Sequence, residues 1–298
     1  MVAERICLTA PAKINLYLKI TGQRPDGYHE LNTLMQKLAL YDRLELELVP
    51  ESGIHLSCPG TDLPVDEHNI VYRAVRLFLE RTRRSGQGIR IVLKKEIPVA
   101  AGLGGGSSDA ATVLLGLDRL LATGCSKVEL ATMGLKLGAD VPLFIYDMAA
   151  AWATGIGEKL ATAVPLTGYQ VLVVNPGVAV STKWAYETFA LTSGENIFNL
   201  SSSRKEYGGI DQGAAFCKRP FKPEELVNDL EAVTADKFSV IGEIKQHLLT
   251  AGAAGAMMSG SGSTVFGLFS DDIYQQAEHC CNEFKKEYDQ VYLVAPLV

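Results

Sequence analysis

The sequence lacks any hydrophobic run that could cross a membrane, and it lacks an excess of basic charge. Its longest unbroken apolar run, residues 148–153, has six residues, whereas a spanning helix needs about 20. Lysine and arginine together number 28 against 34 aspartates and glutamates, which gives a net charge of −6. A general nucleic-acid-binding protein usually carries the opposite sign. We therefore expect neither a membrane nor a nucleic acid among its partners.

The cysteines lack the spacing of a zinc site or a redox motif, because none of them forms a C-x-x-C pair. Most lie in apolar segments, which is typical of buried free thiols in a reducing compartment. The six are Cys7, Cys58, Cys125, Cys217, Cys280 and Cys281. A strand-like pattern is present by Ile6 and leaves no room for a signal or transit peptide. We expect a cytoplasmic location.

What is present is an ordinary globular composition, with 47% hydrophobic and 21% charged residues. The length corresponds to about two domains of roughly 150 residues each. Strand-like and helix-like segments are mixed rather than strictly alternating, which favours an α+β fold over a doubly wound sheet. A composition break at residues 161–168, with Pro165 and Gly168, predicts domains over residues 1–164 and 165–298.

Local patterns predict the individual elements. Asn69 is placed to cap a helix reaching about Arg83, and residues 126–129 form a capping-box sequence that opens another helix. Pro11 predicts a break between the first two strands or a sheet edge, because proline cannot donate to a sheet ladder. Residues 194–220 are polar, glycine-rich and without periodicity, which is typical of a lid or a mobile insertion. Strands are predicted over 6–8, 14–20, 42–49, 89–93, 144–153, 169–174 and 291–294, and helices over 107–121, 181–189, 223–230, 240–249 and 271–288.

The densest signal is the segment of residues 98–108, P-V-A-A-G-L-G-G-G-S-S, which we call the glycine loop. Four glycines in five residues let the backbone adopt positive φ and approach a ligand closely. The helix predicted to begin at Ser107 adds exposed N–H groups and a helix dipole, which attract an anion, most naturally phosphate. The alternative is a flexible turn before an ordinary capped helix.

Three common nucleotide-binding patterns do not fit this loop. The Walker pattern requires a lysine after the glycines, and none follows. The dinucleotide pattern requires a third glycine where Ser107 stands. Neither His-Arg-Asp nor Asp-Phe-Gly, the marks of protein kinases, occurs in the chain.

The glycine loop instead resembles the second motif of the GHMP kinases, the superfamily of galactokinase, homoserine kinase and mevalonate kinase. Residues 11–15, P-A-K-I-N, resemble the first motif of that superfamily. Residues 258–266, M-S-G-S-G-S-T-V-F, resemble the third, and the three motifs occur in the expected order. The resemblance implies an α+β, two-domain GHMP kinase fold. In this fold the N-terminal domain is a ribosomal-protein-like α/β domain and the C-terminal domain is a ferredoxin-like α/β domain. The resemblance also implies that the protein uses ATP and Mg²⁺.

Further segments resemble one GHMP family, the kinases of a cytidine-diphosphate-linked methylerythritol. They are residues 13–16, 24–31, 138–142, 155–158 and 176–178. The resemblance lapses within 193–220, and Asp109 stands where asparagine is also common, although either side chain can cap a helix. It implies ATP-dependent phosphorylation of the 2-hydroxyl of that small molecule in the non-mevalonate route to isoprenoids. We expect a monomer or a weak homodimer.

The resemblance assigns catalytic roles to two residues. Asp140 would be the general base, and Lys13 would keep that carboxylate ionised and neutralise charge on the migrating phosphoryl group. From the residues alone, Asp140 could also be a turn residue or a helix cap, and Lys13 an edge-strand lysine. The phosphates of ATP would lie on the glycine loop, formed by Pro98, Val99, Ala100, Ala101, Gly102, Leu103, Gly104, Gly105, Gly106, Ser107 and Ser108.

The resemblance also assigns contacts with the cytidyl substrate. Tyr28 and His29 would contact the cytosine, through stacking and polar reading of its edge. A second aromatic residue would stack from the other side, and Tyr186 is the candidate, with Trp184 competing. Polar contacts with the substrate are expected from Asn15 and Thr182.

The metal ligand stays open at this point. Ser107 or Ser108 is a candidate contact for the Mg²⁺ that accompanies ATP. Asn69 and Lys95 are candidates to flank the adenosine. The competing functions are another GHMP kinase, of homoserine or mevalonate type, and a non-catalytic nucleotide-binding or RNA-binding module.

Overall fold

The structure is a computed structural model that describes residues 5–192 and 219–298. Its described residues fall into two compact units that are discontinuous along the chain. Unit 1 comprises residues 5–12, 40–99 and 104–147, and unit 2 comprises 13–39, 100–103, 148–192 and 219–298. The division at residue 164 stays a prediction.

Eleven strands and eight helices are present in the described part of the chain. The strands are β1 Arg5–Gln23, β2 His29–Val49, β3 Gly53–Ser57, β4 Gly88–Lys94, β5 Ala150–Gly155, β6 Lys159–Thr162, β7 Tyr169–Asn175, β8 Val227–Asn228, β9 Gly255–Met258, β10 Val265–Ser270 and β11 Gln290–Val294. The helices are α1 Ile70–Arg81, α2 Gly105–Leu121, α3 Lys127–Leu135, α4 Val141–Ile145, α5 Thr182–Thr192, α6 Glu231–Lys237, α7 Val240–Thr250 and α8 Tyr274–Phe284. None of the helices described is long and apolar enough to span a bilayer.

The strands form two sheets. One has seven strands in the order β3-β4-β2-β1-β8, with β5 paired to β2 and β6 paired to β5. The other has four antiparallel strands in the order β11-β7-β10-β9. Because helices and strands are mixed in this way, the predicted α+β class is confirmed.

Unit 1 follows the local sequence patterns closely. Leu44 and Leu46 of β2 are buried, and between them Glu45 is only partly covered, as the alternation predicts. Helix α1 begins where expected, because the Asn69 side chain accepts a hydrogen bond from the Val71 N–H at 2.9 Å. The capping box at the start of α3 is also confirmed.

Unit 2 has its main core between the four-stranded sheet and helices α7 and α8. Leu172, Val174 and Phe269 of the sheet and Leu248 and Phe284 of the helices belong to one buried cluster. This arrangement gives the sheet one helix-covered face, as a ferredoxin-like α/β domain requires.

A second feature of unit 2 joins residues far apart in the sequence. The Gln36 side-chain amide donates to the Leu297 carbonyl at 2.8 Å. The Leu297 N–H donates to the Lys37 carbonyl and the Ala39 N–H to the Ala295 carbonyl, both at 2.9 Å. Residues 36–39 are therefore hydrogen-bonded to residues 295–297.

Of the two predictions for Pro11, the break is wrong, because β1 runs unbroken through it, whereas Pro11 does lie at an edge on the side of β8. On one side β1 pairs with β8 only at Tyr17 and Leu18. The missing N–H of Pro11 therefore costs no ladder bond to β8, which is the condition under which a strand tolerates proline.

Two other element predictions are also wrong. Residues 144–153 do not form one strand, since α4 ends at Ile145 and β5 begins at Ala150. Pro142, at the first turn of α4, favours a helix start. No helix covers 223–230, where a 3₁₀ turn over Pro223–Glu225 precedes β8. The predicted lid at 194–220 lies almost entirely outside the described residues.

Candidate active site

The glycine loop has the backbone geometry of an anion site. Residues Ala100, Gly102 and Gly104 have φ of +53°, +79° and +70°, so every second residue is left-handed. Helix α2 begins directly afterwards at Gly105, and Gly104 provides no side-chain cap for its first N–H groups. Such uncapped N–H groups at the positive end of a helix attract phosphate.

Within unit 2, the third motif braces the central part of this loop. The Ser259 hydroxyl donates to the Gly102 carbonyl at 2.9 Å, and the Thr264 N–H donates to the Ala101 carbonyl at 3.4 Å. A Cβ on Gly102 would collide with the Ser259 carbonyl oxygen. Position 102 therefore requires glycine for two reasons, its positive φ and this close approach.

The first motif lies beside the same part of the loop. The Lys13 N–H donates to the Leu103 carbonyl at 2.9 Å. The Lys13 side chain is buried, and its ammonium donates to Asn15 Oδ1 at 2.6 Å. The Asn15 amide group donates to Thr33 Oγ1 at 2.8 Å, so a hydrogen-bonded chain fixes the ammonium group.

The burial of Lys13 decides whether it could be a solvated lysine on an edge strand. Only 4% of the residue is exposed, so its side chain is not solvated. A solvated edge-strand lysine is therefore excluded. Thr33, which completes the chain of hydrogen bonds, was not singled out from the sequence because no local pattern marks it.

In unit 1, Asp140 lies directly before helix α4 and its side chain does not cap that helix. The turn that carries it lies against the start of α2, since a Cβ on Gly138 would lie 3.7 Å from Ser107 Oγ. The carboxylate thus follows a turn that packs beside the first turn of the phosphate-binding helix. The helix-cap alternative is excluded, whereas the pairing of Asp140 with Lys13 stays a prediction.

A buried ionic cluster, formed by Asp42, Lys95 and Asp109, holds the two ends of the glycine loop in unit 1. The Lys95 ammonium donates to Asp109 Oδ2 at 2.8 Å and to Asp42. Asp42 Oδ1 also accepts the N–H groups of Glu96 and Ile97, at 2.6 and 2.9 Å. These two residues enter the loop, while Asp109 lies in the second turn of α2 behind it.

Two carboxylates share one ammonium in this cluster, and within residues 5–192 and 219–298 the buried Asp109 Oδ1 has no hydrogen-bond partner. Burial raises the pKa of Asp109 to about 7. The positive charge of Lys95 lowers this pKa and the negative charge of Asp42 raises it, but burial has the largest effect. Burial disfavours the charged form of Lys95, but Asp109 and Asp42 outweigh it and raise the Lys95 pKa. Its side chain is thus engaged in this cluster.

The residues predicted to recognise cytosine belong to unit 2. The His29 ring stacks on the Tyr186 ring, with centroids 5.2 Å apart and an interplanar angle of 28°. His29 Nε2 is buried and has no hydrogen-bond partner in the described part of the chain, and burial lowers the pKa of this imidazole. Tyr28 is 61% exposed on the turn before β2.

The competing aromatic residue has other partners. The Trp184 ring meets Phe238 edge-on at 6.3 Å, and the Lys237 ammonium lies 4.1 Å from its centroid. Of the two candidates, Tyr186 is therefore the one beside His29. Thr182, at the start of α5, shares a hydrogen bond of 2.9 Å with the Ser261 hydroxyl of the third motif.

Some predicted contacts are engaged structurally instead. The Asn69 amide group donates to the Pro64 carbonyl at 2.7 Å while its oxygen caps α1. The side chains of Asn69 and Lys95 thus have partners within the protein, and their contact with the adenosine stays a prediction. Ser108 is fully buried, whereas Ser107 is partly exposed. In the two described stretches, no cluster of three His, Cys, Asp or Glu side chains is arranged to hold a metal ion.

The chain is similar to known proteins in sequence and in fold. The model of the GHMP kinase N-terminal domain matches residues 69–148, and that of the C-terminal domain matches residues 221–287. A 4-diphosphocytidyl-2-C-methyl-D-erythritol kinase of Syntrophotalea carbinolica is 51% identical over 88% of this chain and 89% of its own length. The chain belongs to the 4-diphosphocytidyl-2-C-methyl-D-erythritol kinase family. It is a kinase, and the predicted GHMP kinase fold is confirmed.

Other members of this family agree over similar lengths. The Desulfotalea psychrophila 4-diphosphocytidyl-2-C-methyl-D-erythritol kinase is 46% identical over 92% of this chain and 89% of its own. A crystal structure of a 4-(cytidine 5'-diphospho)-2C-methyl-D-erythritol kinase is 33% identical, with a TM-score of 0.75 over 98% of this chain and 99% of that one. A homoserine kinase from Cytophaga hutchinsonii, at 20% identity and a TM-score of 0.70, covers 99% of this chain and 96% of its own and shares the fold alone.

Proposed function

We propose that this kinase transfers the γ-phosphoryl group of ATP to the 2-hydroxyl of 4-diphosphocytidyl-2-C-methyl-D-erythritol. The observation that carries the proposal is the buried Lys13 ammonium, which is fixed by Asn15 while its backbone is bonded to the glycine loop. A buried cation beside a phosphate-binding loop suits a reaction in which negative charge moves between oxygens.

In the proposed step the substrate 2-hydroxyl oxygen bonds to the γ-phosphorus of ATP. The bond from that phosphorus to the bridging oxygen breaks, ADP leaves, and the hydroxyl proton passes to Asp140. Lys13 stabilises the charge that develops during transfer and favours the ionised carboxylate. The N–H groups of the glycine loop and of α2 hold the phosphates in place. The product is the 2-phosphate, an intermediate of isopentenyl diphosphate formation.

Mg²⁺ would accompany ATP, and the residues present fit this role. Mg²⁺ in kinase sites keeps several waters and is bound mainly by substrate phosphates, with few protein ligands. The partly exposed Ser107 hydroxyl at the start of α2 is the side chain we assign to it, since Ser108 is fully buried. The ion supplies charge neutralisation on the phosphate oxygens when bound.

The cytosine would be recognised by Tyr28, His29 and Tyr186. Because burial lowers the His29 pKa, the imidazole is neutral at physiological pH and offers one donor and one acceptor nitrogen. Its buried Nε2 has no hydrogen-bond partner among the described residues, and the polar edge of a bound base would supply one. The exposed Tyr28 ring provides a stacking surface.

The test is phosphoryl transfer from ATP by the purified chain, with the cytidyl alcohol, homoserine and mevalonate offered separately. We expect turnover with the cytidyl alcohol alone. In nuclear magnetic resonance spectra of the product, the new phosphorus should couple to carbon 2 of the methylerythritol. Turnover confined to homoserine or mevalonate, or nucleotide binding with no transfer to any alcohol, would reject the proposal.

A further inference from the structure

We infer that Asn228, a residue with no assigned role, positions the third motif and through it the Lys13 centre and the glycine loop. The inference rests on the proposed function for its catalytic consequence, although its structural part does not. Asn228 is therefore a positioning residue and makes no contact with the reacting atoms.

The geometry begins with two hydrogen bonds from one amide group. Asn228 Nδ2 donates to the carbonyl oxygens of Met258 and Gly260, both at 2.8 Å. These two carbonyls belong to the residues on either side of Ser259. One side chain thus fixes the backbone before and after the serine, which leaves the serine little freedom to turn.

Ser259 passes this constraint to both parts of the site in unit 2. Its hydroxyl donates to the Gly102 carbonyl at 2.9 Å and accepts the Asn15 N–H at 3.3 Å. Asn15 in turn receives the Lys13 ammonium at 2.6 Å. Three hydrogen bonds in sequence therefore connect the Asn228 amide to the Lys13 ammonium, and two connect it to the Gly102 carbonyl of the glycine loop.

Gly260 lies close to both parts of the site. A Cβ added at this position would lie 3.3 Å from the Gly102 carbonyl oxygen and 3.4 Å from Asn15 Oδ1. Because Ser259 is hydrogen-bonded to both Gly102 and Asn15, a backbone displacement of about 1 Å at residues 258–260 would strain or break those bonds. Misplacement of that size at a site far from the chemistry can cost about 10²-fold in rate.

The Asn228 side chain has a second, separable contact. Its Oδ1 accepts the Leu230 N–H at 3.0 Å, which supports the turn into α6. Asn228→Asp keeps an oxygen for this contact but replaces the donor with an oxygen that faces two carbonyls. Asn228→Ala removes the donor without adding a charge, so it serves as the second variant if the first fails to fold.

Gln36 offers a matched control in the same unit. Its amide also donates to carbonyls of distant segments, Leu297 at 2.8 Å and Ala149 at 3.2 Å, and it is fully buried. Gln36→Glu therefore makes the same chemical change away from the third motif. We expect it to lower the melting temperature while the kinetic constants stay within about two-fold of the wild type.

The experiment measures hydrogen exchange in the full chain without substrates, well below the melting temperature of each variant, and then steady-state kinetics. With either Asn228 variant we expect exchange at residues 100–103 and 258–264 to accelerate about 10-fold or more, and kcat/KM for ATP to fall about 10- to 100-fold. Gln36→Glu should leave exchange in both segments unchanged. Unchanged exchange there in the Asn228 variants, or an equal kinetic loss in Gln36→Glu, overturns the inference. A wild-type chain without turnover overturns the proposed function only, because the exchange measurement needs no substrate.

Discussion

Replacing Asp109 by asparagine should make the stability of unit 1 less sensitive to pH. The carboxyl is 2% exposed and shares the Lys95 ammonium with Asp42. An asparagine keeps an oxygen for the Lys95 hydrogen bond, whose length is 2.8 Å, and removes the second negative charge. The substitution therefore tests the charge of the cluster more than its packing.

The sign follows from the raised pKa. The carboxyl titrates near its ordinary value of 3.8 in the unfolded chain and at about 7 in the folded one. Below both values it is protonated in both states and nothing is lost. As pH rises, the unfolded chain releases the proton first, so the wild type loses stability until the folded carboxyl also ionises. At about 1.4 kcal/mol per pH unit, the loss reaches at most about 4 kcal/mol, of which about 2 falls between pH 5 and pH 7.

The assay is urea unfolding of both proteins from pH 5 to pH 8, followed by circular dichroism and by hydrogen exchange in α2. Tryptophan fluorescence is unsuitable because Trp152 and Trp184 both lie in unit 2. Asp66→Asn is the control, since the N–H of His68 holds the pKa of that exposed carboxyl below its ordinary value of 3.8. This carboxyl is ionised in both states from pH 5 to pH 8, so the difference between this variant and wild type should stay constant over that range. A difference between Asp109→Asn and wild type that stays constant with pH, or that falls as pH rises, would refute the reasoning.

Three further substitutions test the site. Asp140→Asn should reduce kcat at least 10²-fold. Calorimetry should show unchanged binding of both substrates. Turnover near the wild-type rate would contradict the assignment of Asp140 as the general base. His29→Ala should raise KM for the cytidyl substrate at least 10-fold and KM for ATP less than two-fold. The reason is that truncating a group that hydrogen-bonds a base edge costs about 1–3 kcal/mol. Equal increases in the two KM values would argue against recognition of cytosine by His29. Gly102→Ala should weaken ATP binding and lower stability by more than the roughly 1 kcal/mol of a left-handed alanine, because its Cβ meets the Ser259 carbonyl. Gly60→Ala, with φ of +78° and open space around it, is the control and should lose only that amount while binding ATP normally.

How far the sequence predicts the fold depends on whether a segment has one face in water. The alternation at 42–49 and the cap at Asn69 are visible because one side of each element is exposed. Strand β2, however, begins at His29, far before the predicted start at residue 42. Residues 33–38 are buried without interruption and include the polar Thr33, so no alternation marks them.

The site shows a similar limit. The glycine loop is visible in the sequence because its geometry is set by neighbouring residues, as the left-handed Gly102 and Gly104 show. The support for Lys13 is not visible, since Asn15 and Ser259 are 244 residues apart and their hydrogen bond leaves no local pattern. Family resemblance supplies the motifs, but the hydrogen bonds that connect them have to come from the structure.

The bonds between residues 36–39 and 295–297 also bear on how this kinase is made. Gln36 and Leu297 are separated by 261 positions, and a ribosome adds about 5–20 residues each second. Gln36 therefore waits about 13–50 s for its partner, and this part of unit 2 cannot form before residue 297 has been synthesised. During that interval the buried segment around Leu34 and Leu38 is left to chaperones or to transient contacts, so slower synthesis should raise aggregation of the nascent chain more than of the finished one.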